Sequence, residues 1–317
     1  MKLLITRVLP ESVIETARAR FDVTWRDRTD AMSRDEMVAS LRDYDAVLPT
    51  LGDLYRADVF AEVPQPRCRL LANFGVGYNH IDAVAAKAAG IAVTNTPGAV
   101  TDATADIALM LMLMSARRAS EGERLVRAGN WKGWHPTQML GLHMTGKTLG
   151  IVGMGRIGKA IARRAHFGFG MQVVFFNRSP VADPGMPARQ VQSLAEVMAQ
   201  SDIVVVAVPG GAETRHIIDA AALSAMRPHA HLINISRGDT VDEAALIDAL
   251  ERRAIGGAGL DVYEREPAVP ERLRALDNVT LLPHLGTAAL EVRTAMGMMA
   301  LENLVAFDEG RPLPNPV

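Results

Sequence analysis

Along this chain, short runs of apolar and β-branched residues alternate with longer stretches in which apolar positions fall three and four residues apart. A strand buried on both faces reads as an unbroken apolar run, and a helix with one buried face reads with the longer period. The runs at 3–6, 46–49, 70–73 and 92–95 form a first series. A second begins at 149 and continues through 172–176, 203–208, 231–235, 258–262 and 279–282. Strand and helix patterns that alternate in this way predict parallel βαβ units, so the expected fold class is α/β with two doubly wound, Rossmann-like sheets.

The series are separated by "TPGAVTDATADIALMLMLMSARR", in which Pro97 and Gly98 break the chain and Thr101 or Asp102 can cap a long helix. A domain boundary is expected there. The last helical pattern, 288–308, follows the final strand of the second sheet and cannot extend it, so it is expected to pack back on the first domain. That gives a discontinuous, flavodoxin-like domain of 1–98 plus 288–317, and a second domain of 99–287. The Met110, Met112, Met114 alternation reads as core or subunit interface.

Composition narrows the function classes. At 317 residues, 49% hydrophobic and 22% charged, the chain can bury two sizeable cores. A net charge of -2 without a Lys/Arg block argues against a nucleic-acid partner. The single cysteine, Cys68, excludes an internal disulfide framework and points to a cytoplasmic location. The apolar run 107–114 ends at Arg117 and Arg118, well short of the ~20 residues a membrane span needs. Arg7 interrupts the N-terminal apolar stretch, which is therefore read as a first strand and not a secretion signal.

Two phosphate-binding patterns overlap in "GLHMTGKTLGIVGMGRIGKA". Gly141 to Thr148 reads G-x-x-x-x-G-K-T, but a triphosphate loop needs a strand before it and a helix after it. Here a Gly- and Pro-containing loop precedes it and a strand follows. Gly153, Gly155 and Gly158 form G-x-G-x-x-G between a strand and a helix, the arrangement that binds a dinucleotide. The acid expected at the end of the next strand, which would hold the ribose 2′-hydroxyl of NAD, is replaced by Asn177, with Arg178 and Ser179 after it. A guanidinium and a hydroxyl suit a 2′-phosphate, so NADP(H) is expected in preference to NAD(H). The bland alternative is that Arg178 is a solvated turn residue.

Arg237, Glu266 and His284 follow three successive strands of the second series. Singly, each has an ordinary reading as a surface arginine, a loop acid or a satisfied histidine. Together they supply what reduction of a 2-keto acid requires: a cation for the carboxylate and carbonyl, and a proton donor whose other ring nitrogen is held by a carboxylate. No H-E-x-x-H or G-x-S-x-G pattern occurs, and His229 and His231 lack partners at metal-ligand spacing, so no metal is expected.

The stretches "NFGVGYNHID", "GIAVTNTPGAVTDATAD", "GKTLGIVGMGRIG", "INISRGDTVDEAALIDAL", "GLDVYEREP" and "LPHLGTA" resemble the D-isomer-specific 2-hydroxyacid dehydrogenases over essentially the whole chain. The resemblance implies that Arg237, Glu266 and His284 form the catalytic triad, that the active site lies in a cleft between two domains, and that the protein is a homodimer built on its cofactor domains. It implies cofactor contacts at Thr104, Met154, Arg156, Ile157, Val208, Pro209, Thr214, Ile235, Asp261 and Gly286, beside the three glycines and Asn177 to Ser179. It also implies that the backbone N–H groups of Val76 and Gly77 cradle the substrate carboxylate near Leu51, although a tight turn alone would also explain Gly75 and Gly77. Trp131 and Trp134 resemble an interface segment. Formate dehydrogenases carry glutamine where Glu266 stands, and phosphite dehydrogenases carry lysine where Val76 stands. Phosphoglycerate dehydrogenases usually use NAD, and many carry regulatory C-terminal domains absent here. The chain is most similar to glyoxylate and hydroxypyruvate reductases. The alternatives are a relative acting on a bulkier 2-keto acid and, in a different class, a nucleotide-sensing corepressor-like binding protein.

Overall fold

The apolar runs become strands where they are covered on both faces. In the computed structural model, which describes residues Met1–Val317, β1 (Lys2–Ile5), β2 (Asp22–Trp25), β3 (Ala46–Leu48), β4 (Leu70–Ala72) and β5 (Ala92–Thr94) form one parallel sheet in the order β2-β1-β3-β4-β5. A second parallel sheet holds β6 (Thr148–Val152), β7 (Gln172–Phe176), β8 (Arg189–Gln190), β9 (Ile203–Val206), β10 (His231–Asn234), β11 (Gly257–Leu260) and β12 (Val279–Leu281). Its order is β12-β11-β10-β9-β6-β7-β8. The two sheets belong to two units, Met1–Val100 with Thr287–Val317, and Thr101–Gly286.

Both orders reverse direction once, between β1 and β3 and between β6 and β9. At such a point the connecting loops leave to opposite faces of the sheet and open a crevice beyond the carboxyl ends of the strands, where ligands of doubly wound sheets bind. The loop after β3 carries Leu51, and the loops after β6 and β9 carry the Gly153–Gly158 turn and Val208, Pro209 and Thr214.

Helix Leu290–Asp308 begins at Leu290 instead of 288. It packs on helix Glu11–Arg20 and β4, and its Ala300, Leu301 and Leu304 complete the core formed by Leu3, Ile5, Val13, Leu48 and Leu70. The second unit has a core on each sheet face, one around Val204, Leu232 and Leu260 and the other around Ile151, Val205 and Ile233. No helix is long and apolar enough to cross a membrane.

The strand predictions fail at their ends and edges. The runs 46–49, 70–73 and 203–208 overshoot, because the chain stays apolar or buried for a residue or more after the ladder ends at Leu48, Ala72 and Val206. β2 and β8 escape prediction. They lie at sheet edges, and their alternating or partial exposure lacks the unbroken apolar signature of the central strands.

Candidate functional site

The turn after β6 is built for close backbone approach. Gly153 has φ +99°, a conformation that favours glycine, and a Cβ on Gly158 would lie 2.2 Å from the Gly153 carbonyl oxygen, so helix Arg156–Phe169 can seat on the turn only without a side chain there. Gly155 differs: a Cβ would meet nothing within 4 Å, which leaves its backbone open to an incoming group. Three other helices of this unit are capped by a side chain: Ser193 caps helix Leu194–Gln200, Asp219 caps helix Ala220–Ser224 and Asp242 caps helix Glu243–Glu251. Helix Arg156–Phe169 starts at Gly155 with no side-chain cap and no acid in its first turn. Uncapped N–H groups at the positive end of a helix fit a pyrophosphate, so the residues present suit a dinucleotide.

Asn177 holds this turn from the end of β7. Its Oδ1 accepts from Met154 N at 3.2 Å, and its Nδ2 donates to Ser179 O at 2.9 Å. Gln190 of β8 braces the same corner by donating to Asn177 O and Ser179 O. Arg178 extends into solvent and pairs with Glu213, itself exposed, from the loop after β9. In that loop the Thr214 hydroxyl donates to Pro209 O at 2.6 Å, and the Ser236 hydroxyl donates to Val208 O. Ile235 is buried at the end of β10. The Gly141–Thr148 pattern is an irregular segment running into β6, with no helix after it.

Arg237, Glu266 and His284 occupy the loops after β10, β11 and β12. Asn234 shapes the first loop, accepting from Ser236 N at 3.0 Å and donating to Arg237 O at 3.0 Å. The Arg237 guanidinium donates to Ser236 O at 2.8 Å. Its stem passes so close to Gly210 that a Cβ there would lie 2.6 Å from Arg237 Cγ. Burial lowers the Arg237 pKa, and the negative charges of Glu266 and Asp239 oppose that shift. The group stays charged, since arginine does not deprotonate in proteins.

The Glu266 carboxylate is held at both oxygens. Oε1 accepts from Tyr263 N at 3.1 Å, and Oε2 lies 2.8 Å from His284 Nδ1. Burial disfavours the ionised form, but His284, the Tyr263 N–H and the Arg237 charge outweigh it, and the carboxyl sits below its ordinary pKa. With Nδ1 directed at a carboxylate, Nε2 is the ring nitrogen left to face a substrate. His284 adopts φ +56°, uncommon for a residue with a side chain. Asp261 fixes it there by accepting from Leu285 N at 2.6 Å and Gly286 N at 2.8 Å, while Thr104 Oγ1 donates to Gly286 O at 3.2 Å. Three residues expected at the cofactor, Thr104, Asp261 and Gly286, thus gather around the segment that carries His284.

In the first unit, Leu51 sits exposed on a turn pinned by Asp53, whose buried carboxylate accepts from Thr50 N at 2.9 Å, Thr6 Oγ1 at 2.6 Å and Met32 N at 3.0 Å. Val76 and Gly77 follow β4. Sequence reasoning missed Asn73, Asn95, Gln190, Gly210 and Glu213. Each acts through a partner distant in sequence or through a loop carbonyl, which leaves no periodic trace.

The chain matches the family of the D-isomer specific 2-hydroxyacid dehydrogenase, NAD binding domain, over residues 109–286. It is 43% identical to a glyoxylate reductase of Thermococcus onnurineus, covering 100% of this chain and 95% of that protein. Among solved structures it is similar to the TT0316 protein of Thermus thermophilus, with a TM-score of 0.91, 40% identity and complete coverage of both chains. It is also similar to an NADPH-dependent glyoxylate/hydroxypyruvate reductase of Sinorhizobium meliloti in complex with NADP and malonate, with a TM-score of 0.88 and 36% identity, covering 100% of this chain and 96% of that one.

Proposed function

The chain belongs to the D-isomer-specific 2-hydroxyacid dehydrogenases, and from that premise we propose that it reduces small 2-keto acids, glyoxylate and hydroxypyruvate, to glycolate and D-glycerate, with NADPH preferred over NADH. The observation that carries this reading is the His284–Glu266 contact beside the Arg237 charge, at the ends of three neighbouring strands of the sheet that holds the glycine turn.

A bound reduced nicotinamide supplies the hydride. Gly153, Gly155, Gly158 and the N-terminus of helix Arg156–Phe169 hold the pyrophosphate, with the neighbouring contacts at Thr104, Met154, Ile157, Val208, Pro209, Thr214 and Ile235. The N–H groups of Val76 and Gly77 bind the substrate carboxylate, and Leu51 lies against its side chain. Arg237 draws electron density onto the keto oxygen through its fork of donors. His284 gives its Nε2 proton to that oxygen as the carbon is reduced, and Glu266 at Nδ1 balances the imidazolium before transfer. Turnover therefore requires the protonated imidazole.

The preference for NADPH rests on the missing acid at 177 and on Arg178, and the reductase of Sinorhizobium meliloti in complex with NADP is in keeping with it. A homodimer is supported by helix Ala119–Arg127, which buries none of its residues within the chain, and by Val126, Trp131, Trp134 and Leu140 exposed on and after it. The single buried cysteine accords with a cytoplasmic protein. The test is initial rates of NADPH and NADH oxidation with glyoxylate, hydroxypyruvate and phenylpyruvate. Fast turnover of the two small acids with NADPH is expected. Faster turnover with NADH would overturn the cofactor reading alone, and no turnover with any keto acid would overturn the reductase reading.

A further inference from the structure

The segment Gly75–Gly77 is held by its carbonyl groups. Gly75 O accepts from Asn73 Nδ2 at 2.9 Å and from Thr96 N at 3.0 Å. Val76 O accepts from Asn95 Nδ2 at 2.9 Å, and Gly77 O accepts from Asn73 Nδ2 at 3.1 Å. In a trans peptide the C=O and the following N–H point in opposite directions. Fixing the carbonyls of residues 75, 76 and 77 toward Asn73 and Asn95 therefore turns the N–H groups of Val76, Gly77 and Tyr78 the other way, as a set of three donors. The chain has to satisfy its buried carbonyls somewhere. Here two side-chain amides do so, and the donors stay available for an anion.

We propose that Asn73 and Asn95 are positioning residues that aim this set of N–H groups at the substrate carboxylate; the proposal rests on the reading of this loop as the carboxylate site. Asn73 is fully buried. Its amide orientation follows from its neighbours, because only the NH2 end can face two carbonyl oxygens. The Oδ1 end then lies 3.0 Å from His80 Nε2, which must carry a proton to donate to it. His80 thereby locks the amide that locks the loop. Asn95 is tied in turn through its backbone N–H to Asn315 O at 3.1 Å. In this arrangement both side-chain amides donate to loop carbonyls. Each acts by fixing which way a peptide plane faces.

The test uses the full-length enzyme saturated with NADPH, with Asn73→Asp and Asn95→Ala as variants. Asn73→Asp keeps the shape of the side chain but replaces both donors by an acceptor facing two carbonyls. Dissociation constants for oxamate, an unreactive keto-acid mimic, are measured beside KM and kcat for glyoxylate, the dissociation constant of NADPH and the melting temperature. Each variant is expected to weaken oxamate and raise KM by about tenfold, the effect of losing one or two loop hydrogen bonds, with kcat and NADPH binding within about threefold of wild type. A merely structural role would lower the melting temperature or the active fraction without moving KM or oxamate binding, and that outcome overturns the proposal. Asn95 is only half-buried, so Asn95→Ala decides the question if Asn73→Asp does not fold. A wild-type enzyme that reduces no keto acid and binds no oxamate would remove the site reading itself. An active wild type whose variants leave KM and oxamate binding unchanged would remove only the asparagine proposal.

Discussion

Replacing Glu266 by glutamine preserves shape and removes charge at the atom that touches His284. The carboxylate serves two donors, Tyr263 N at 3.1 Å and His284 Nδ1 at 2.8 Å, with one oxygen each. Glutamine has one oxygen. If it stays on Tyr263 N, its NH2 group faces Nδ1, and a protonated imidazole then sets donor against donor. The lost interaction is a charge-assisted hydrogen bond in a half-buried site, of about 1.5–3 kcal/mol. That free energy corresponds to roughly 10- to 150-fold in the rate of any step that needs the imidazolium. Because the wild-type carboxyl sits below its ordinary pKa, Glu266 is ionised throughout an assay from about pH 6 to 10, and the variant differs from wild type over the whole range. Single-turnover NADPH oxidation with glyoxylate should be slower by the stated factor. The NADPH dissociation constant should not change. A variant within about threefold of wild type would show that His284 needs no charged partner or does not donate the proton.

Further expectations can be checked independently. Gly158→Ala places a methyl 2.2 Å from a backbone oxygen that cannot retreat alone, so NADPH binding by fluorescence should weaken more than about tenfold while far-UV circular dichroism still shows a folded chain. Arg178→Ala should raise KM for NADPH about tenfold and leave NADH unaffected, whereas Glu213→Gln, which frees Arg178 from a competing carboxylate, should lower it; equal effects on both cofactors would remove Arg178 from 2′-phosphate recognition. Burial, aided by the His229 charge, pulls His231 down to about 4 beside Ser115. Its folded pKa is depressed, so the unfolded chain takes up the proton first: the contribution to stability is intact above about pH 6.5 and is lost as the pH falls toward 4. The maximum loss is about 3 kcal/mol. Melting curves should therefore show His231→Asn losing less stability than wild type between about pH 7 and 4.5, and parallel curves would refute the assignment.

What could be read beforehand follows physical lines. Central strands such as β9 and β10, buried on both faces, announce themselves in any window of the sequence, and the placing of Arg237, Glu266 and His284 was legible because they lie in the loops after β10, β11 and β12. The glycine turn was legible because strand, turn and helix are contiguous. Edge strands were not, since Asp22–Trp25 mixes charge with partial exposure. Nor was Glu213, whose importance depends on a partner 35 residues away. Asn73 and Asn95 read as the last residues of strand runs, and the bonds their amides give to the carbonyls of residues 75–77 required coordinates. The electrostatic balance at Glu266, where burial opposes several favourable partners, also required coordinates.

The return of the chain to its first unit sets an order on synthesis. Residues 101–286 form a contiguous unit whose sheet and both cores can assemble as soon as they leave the ribosome. The first hundred residues emerge earlier but cannot finish. Their core waits for Ala300, Leu301 and Leu304, and the end of β5 waits for the backbone bonds from Asn95 N to Asn315 O and from Val317 N to Val93 O. The earlier-made half is therefore the later to mature, and during translation its apolar face lacks the helix that covers it. A ribosome stalled in the final helix would present a folded nucleotide-binding half beside an open sheet, the species on which a chaperone should act.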